Sequence, residues 1–157
     1  MKEDLSVMLG KEKFNFRVGA LIECEDKVLL QKNDNLDFYN LPGGRVKIGE
    51  STLEAIKREI EEELNIKETE FKLSHVLENF FTFDNKITHE LFFIYKLQLK
   101  KVHPLTLKNR ISALDREEER SYWINKEDTK ILNCKPNVLH EIINKTSNTI
   151  TTSIEKN

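Results

Sequence analysis

The sequence predicts an α/β fold, on three observations. Two apolar runs at strand spacing, 14–24 (FNFRVGALIEC) and 27–31 (KVLLQ), open the chain. Leu53, Ile56, Ile60 and Leu64 then recur at helical spacing. Two further apolar segments, 71–83 and 88–99, follow that helix.

Each element has a local reason. The first two strands are joined by Glu25 and Asp26, a short polar turn. Next comes LPGGRVKIGE, which holds Pro42 and three of the five glycines, Gly43, Gly44 and Gly49. Glycine serves where backbone takes positive φ or approaches a ligand closely, so this loop is a tight turn or a binding surface. The helix is expected over Thr52 to Leu64, with Ser51 as its cap and Glu54 completing a capping box. It ends near Asn65, a residue that enters the left-handed region at modest cost. Asp84, Asn85 and Lys86 read as a hairpin turn between the later strands, and LFFIY, apolar on both faces, reads as a central strand. A polar stretch from 100 to 120 leads to a short strand at SYWIN, then to a C-terminal helix over 136–143. The tail from about 145 is polar and is expected to fray.

Composition bounds the rest. At 157 residues and 38% hydrophobic, the chain suits a single domain over 1–157 with a core that needs no disulfide or zinc. Collagen-like and disordered classes are excluded. With 25 basic and 27 acidic residues the net charge is −2, so nucleic-acid binding through bulk charge is unsupported. No apolar run approaches the ~20 residues of a membrane span, and the opening MKEDLSVMLGKEK lacks a signal-peptide core. A cytoplasmic protein without a membrane partner is the expectation. Cys24 and Cys134 match no metal spacing and read as buried reduced thiols.

The chemistry concentrates on the helix. Glu59, Glu62 and Glu63 stand at i, i+3 and i+4, so their carboxylates share a face beside the apolar stripe. Two carboxylates ~6 Å apart repel by roughly 3 kcal/mol at an effective dielectric of ~20, and a divalent cation is the natural remedy. An all-oxygen ligand set selects a hard ion, Mg²⁺ or Mn²⁺. The same pattern also describes a solvated acidic helix; a glycine-rich turn feeding that helix favours the metal reading and suits diphosphate chemistry.

Residues 44–66, GRVKIGESTLEAIKREIEEELNI, resemble the Nudix box, G-x5-E-x7-R-E-U-x-E-E-x-G-U with U a bulky aliphatic residue. Gly44, Glu50, Arg58, Glu59, Ile60, Glu62, Glu63 and Ile66 match, and Asn65 stands where the family has glycine. The resemblance implies a Nudix-type α/β/α sandwich with a central mixed sheet, acting as a pyrophosphohydrolase. Its substrate would be a nucleoside diphosphate linked to another group, either ADP-ribose-like or a nucleoside triphosphate. Carried over by position, Glu59, Glu62 and Glu63 are metal ligands, with the Gly43 carbonyl as a further one. Arg58 orients the acids, Glu59 or Glu62 is the candidate base, and Glu50 and Gly44 support the loop and the substrate. A non-hydrolytic Nudix-fold nucleotide sensor is the alternative. The resemblance also allows a homodimer, with the apolar 71–83 segment as a candidate face.

Outside the box, Arg17 reads as a phosphate contact or a surface ion pair. Glu90 and Glu117 to Glu119 are later candidates for a base, against the simpler reading as structural or solvated charges. Phe38, Tyr39, Phe80, Phe81 and Phe83 are candidates to stack on a base, against a core role that explains most aromatics. Trp123 reads as core, and the four histidines form no ligand pattern.

Overall fold

The structure is a computed structural model that describes residues 2–108, 110–112 and 117–157. Residues 109 and 113–116, within the expected polar stretch, lie outside the described residues.

The chain runs β1 (Ser6–Leu9), β2 (Glu12–Cys24), β3 (Lys27–Asn33), β4 (Tyr39–Asn40), β5 (Gly43–Arg45), α1 (Thr52–Leu64), β6 (Lys72–Phe83) and β7 (Lys86–Gln98). A 3₁₀ turn (Pro104–Leu107) follows, then β8 (Arg110–Ser112), β9 (Glu119–Asn125), a second 3₁₀ turn (Lys126–Lys130), α2 (Leu139–Ile143) and β10 (Thr151–Lys156). The sheet order is β10-β6-β7-β2-β3-β9-β8, with β1 and β5 on β2 and β4 on β3. It is mixed: β2 runs parallel to β7 and β10 parallel to β6, while β6–β7 and β3–β9 are antiparallel.

Side chains alternate across a strand, so the central strands feed two cores. Val18, Ala20 and Ile22 of β2, Leu29 of β3 and Tyr95 and Leu97 of β7 pack with Ala55, Ile56, Ile60 and Leu64 of α1. Their neighbours Leu21, Val28, Leu30, Phe92 and Ile94 pack with Leu139, Ile142 and Ile143 of α2. One helix thus covers each face, the expected sandwich. The expected turns hold too. Glu25 carries φ 53°, and Asp84 and Asn85 both lie in the left-handed region, as a two-residue hairpin turn with the strands' own twist requires.

Two expectations are corrected. The tail does not fray: Thr151 to Lys156 form β10, in register with His75 to Phe80 of β6. Its alternate residues turn inward, and His75 hydrogen-bonds the hydroxyls of Thr151 and Ser153, both at 2.7 Å. The C-terminal helix begins at Leu139 rather than 136. The backbone N–H groups of Asn137 and Val138 donate to Glu155 of β10 instead, at 3.0 and 2.7 Å. Both edges of the 71–83 segment are paired, by β7 and β10, with Phe71 and Leu77 buried and Phe83 half-exposed.

Candidate active site

α1 is placed by its own ends. Ser51 Oγ accepts the Glu54 N–H, Glu54 Oε2 accepts the Ser51 N–H at 2.8 Å, and Asn65 closes the helix at φ 54°, ψ 33°. The loop before it is locked to β2. Ala20 donates its N–H to the Pro42 carbonyl, and β5 pairs Gly43 with Gly19 and Gly44 with Val18. Glycine is required at Gly43, and at Gly44 any side chain would displace an acid. A Cβ on Gly43, at φ 154°, would strike the backbone of Val18, and one on Gly44 would fall on the Glu59 carboxylate. Glu59 therefore lies directly against the loop.

Arg58 joins the parts. Its Nε and Nη2 donate to the two oxygens of Glu50 at 2.7 and 2.9 Å. Nη1 donates to Glu59 at 2.7 Å and to Glu62 at 3.4 Å, while Nη2 also reaches the Arg45 carbonyl at 3.1 Å. All five guanidinium N–H groups are thereby used. Glu50 also accepts the Lys47 N–H, and the Arg58 guanidinium holds its carboxyl below the usual range. The carboxylates in turn push the Arg58 pKa up, so its charge is permanent.

The three box acids occupy three environments. Glu59 is 7% exposed against Gly44 and Arg58. The Glu62 side chain is 48% exposed. Glu63 is fully buried, accepting from Gln31 Nε2 at 3.3 Å. Among the described residues no three His, Cys, Asp or Glu side chains are gathered closely enough to share a metal ion. Arg58 instead spans Glu50, Glu59 and Glu62.

In front of Glu59, Gly43 and Gly44 opens a cleft of about 940 Å³. Arg17 lines it, 3.6 Å from Glu90 and 5.0 Å above the Phe92 ring, so its ion pair is made inside the cleft and not on the outer surface. Glu90, 2% exposed, also meets Asn15 Nδ2 at 3.5 Å. Glu117 to Glu119 do not line the cleft. Phe38, Phe81 and Phe83 do. Tyr39 instead meets Tyr122 edge-on, and Phe80 stacks on His89 at 4.2 Å. Trp123 packs against the α1-side core and donates to the Leu105 carbonyl, and no histidine is among the described residues of the cleft.

Sequence reasoning missed Lys13, Asn15, Arg45, Asn79, Lys86, Glu155 of β10 and the C-terminal Asn157, all at the cleft. One signal was present. Lys13, Asn15 and Arg17 alternate with Phe14, Phe16 and Val18, which gives one end of a central strand a polar face.

Comparison with known proteins agrees with this architecture. The chain matches the NUDIX domain over residues 13–142. It is similar in structure to a MutT protein from Bacillus halodurans, with 22% identity over 90% of each chain and a TM-score of 0.68. It is also similar to a MutT protein from Methanosarcina mazei Go1, with 21% identity, 87% of this chain and 94% of the other covered, and a TM-score of 0.58. The E. coli dihydroneopterin triphosphate pyrophosphohydrolase gives 19% identity, 82% and 91% coverage, and a TM-score of 0.58. Among curated proteins nothing matches. The structural likenesses show the fold. The domain match, spanning most of the chain and containing the whole 44–66 motif, shows the family: this chain belongs to the Nudix family of pyrophosphohydrolases.

Proposed function

We propose that the chain hydrolyses a phosphoric anhydride bond in a nucleoside diphosphate linked to another group, ADP-ribose-like or a nucleoside triphosphate, with Mg²⁺ as its metal and Mn²⁺ as a substitute. The observation that carries the reading is the Glu50–Arg58–Glu59 network lodged against Gly44 at the wall of a nucleotide-sized cleft. The same reading takes residues 1–157 as one domain acting in the cytoplasm, with a homodimer as the assembly that the family allows.

The donor set suits a hard ion. Glu59, Glu62, Glu63 and the Gly43 carbonyl offer only oxygen, and neither His nor Cys is among the described residues of the cleft. Glu59 and the Gly43 carbonyl, both at the cleft, would hold the ion, and Glu62 and Glu63 would join them only by turning toward Glu59, because no three acids among the described residues are gathered as they stand. Bound there, it supplies charge neutralisation at phosphoryl oxygens and makes water more acidic. The chain's own residues do the rest. Glu50 anchors Arg58, and Arg58 orients Glu59 and Glu62. Glu59 or Glu62 takes the proton from the attacking water, with buried Glu90 a second candidate. Arg17 donates to a phosphate, and Phe38 and Phe81 receive the base.

The test is the double change Glu62→Gln and Glu63→Gln, assayed as phosphate or pyrophosphate release over a nucleotide panel in Mg²⁺. A loss of ~100-fold or more is expected, because the ion contributes several kcal/mol to transition-state stabilisation. Activity surviving the double change overturns the mechanism. Tight nucleotide binding by the unaltered chain with no turnover in Mg²⁺ would point to the sensor instead.

A further inference from the structure

We infer that Lys13, Arg17, Arg45 and Lys86 form an anion site at the β2–β5–β7 end of the cleft, which takes a further ionised phosphoryl group beyond the diphosphate. The site therefore favours a nucleoside triphosphate or another oligophosphate over a diphosphate-linked sugar. This rests on the hydrolase reading above and narrows its substrate.

The topology brings the four cations to one face. Lys13 and Arg17 stand four positions apart on β2, at the same phase of a two-residue repeat. Arg45 is the cross-strand partner of Arg17. Lys86 lies two positions before Thr88, the register partner of Lys13 on β7. All four line the cleft. They also adjoin the acid corner, because Arg45 follows Gly44, whose Cα faces the Glu59 carboxylate, and the Arg45 carbonyl is held by Arg58.

Their charges are incompletely answered. Asp4 lies 3.8 Å from Arg45 and Glu90 3.6 Å from Arg17. Glu155, also at the cleft, is turned onto the amides that precede α2. Neither Lys13 nor Lys86 has an ion pair among the described residues. Lys13 is half-buried, and its ammonium is pushed down first by burial and then by Arg45, Lys86 and Arg17, with Glu90 opposing. Such a lysine gains most from an anion that supplies several charged acceptors at once. A phosphoryl group does so. A sugar hydroxyl would leave half-buried Lys13 without a counter-charge.

The experiment compares the unaltered chain with Lys13→Gln, Lys86→Gln and the double variant. Calorimetry in metal-free buffer uses inorganic tripolyphosphate and pyrophosphate as probes. Turnover in Mg²⁺ compares a nucleoside triphosphate with ADP-ribose. We expect tripolyphosphate to bind the unaltered chain more tightly, and each change to weaken it by about 10-fold. The kcat/KM ratio of triphosphate to ADP-ribose should fall by a similar factor through KM. Equal affinity for the two probes, or tripolyphosphate binding unchanged in the double variant, overturns the site. Lys86 is exposed, so Lys86→Gln keeps the test valid should Lys13→Gln fail to fold. Expected tripolyphosphate behaviour in a chain that turns over no nucleotide supports the site and sinks the hydrolase reading. Turnover together with lysine-insensitive tripolyphosphate binding sinks the site alone.

Discussion

Helix α1 and strand β10 take their conformations from opposite sources. In α1 the start, the stop and the grouping of acids all come from neighbours in sequence: Ser51 with Glu54, Asn65 with Glu61, and Arg58 with Glu59 and Glu62. In β10 they come from far away. His75 and Thr151 are 76 positions apart, and Glu155 reaches back 17 to Val138. Local rules are enough to place the first and are blind to the second. A polar run such as TTSIEK becomes a strand only because β6 offers it a free edge and a histidine with two ring nitrogens to satisfy.

The sharpest way to break this contrast is Arg58→Met. It leaves Glu50 and Glu59, both largely buried, without the cation that spans them, and should cost about 3 kcal/mol in denaturant unfolding. A cost under ~1 kcal/mol would mean that helix propensity and capping hold α1 without the network. A smaller effect is expected at β10 from acid. Burial, and secondarily the Lys145 ammonium, lower the His75 pKa, so the folded chain resists a proton that the unfolded chain accepts near its ordinary value of about 6.5. The stabilisation is complete above that value and is lost as pH falls below it. Thermal melts should therefore drop by a few degrees between neutral and mildly acidic pH, and less so in His75→Gln. An identical drop in that variant would remove His75 from the account. The smallest effect belongs to Asn65→Gly, which should stabilise by about 0.5 kcal/mol because glycine takes φ 54° without a Cβ penalty. Destabilisation would show that the Asn65 side chain holds the helix end in its own right.

The same division explains what was legible at the site. Thr52 to Leu64 has the predicted bounds, and Glu59 and Glu63 are buried beside the apolar stripe while Glu62 is half exposed. The helix bounds and the side of the helix that each acid takes follow from a 3.6-residue repeat. Glu90 was one of several acids of equal standing in the sequence. Its place opposite Asn15 and within ion-pair reach of Arg17, on the face of β7 that meets the cleft, depends on the parallel β2–β7 register. Register is a long-range property, and a shift of one residue would have turned Glu90 to the other face. Lys13 and Lys86, which are 73 positions apart in sequence, are in the same position.

By itself, the sequence determined the family motif, the capped helix with its acids, the hairpin turns and the alternation that builds two cores, because each depends on residues a few positions apart. Tertiary structure alone decided which polar side chains face the cleft and that the last residues become a strand. Those outcomes turn on which backbone edges meet, and hydrogen bonds between distant segments have no signature in the order of residues along either one.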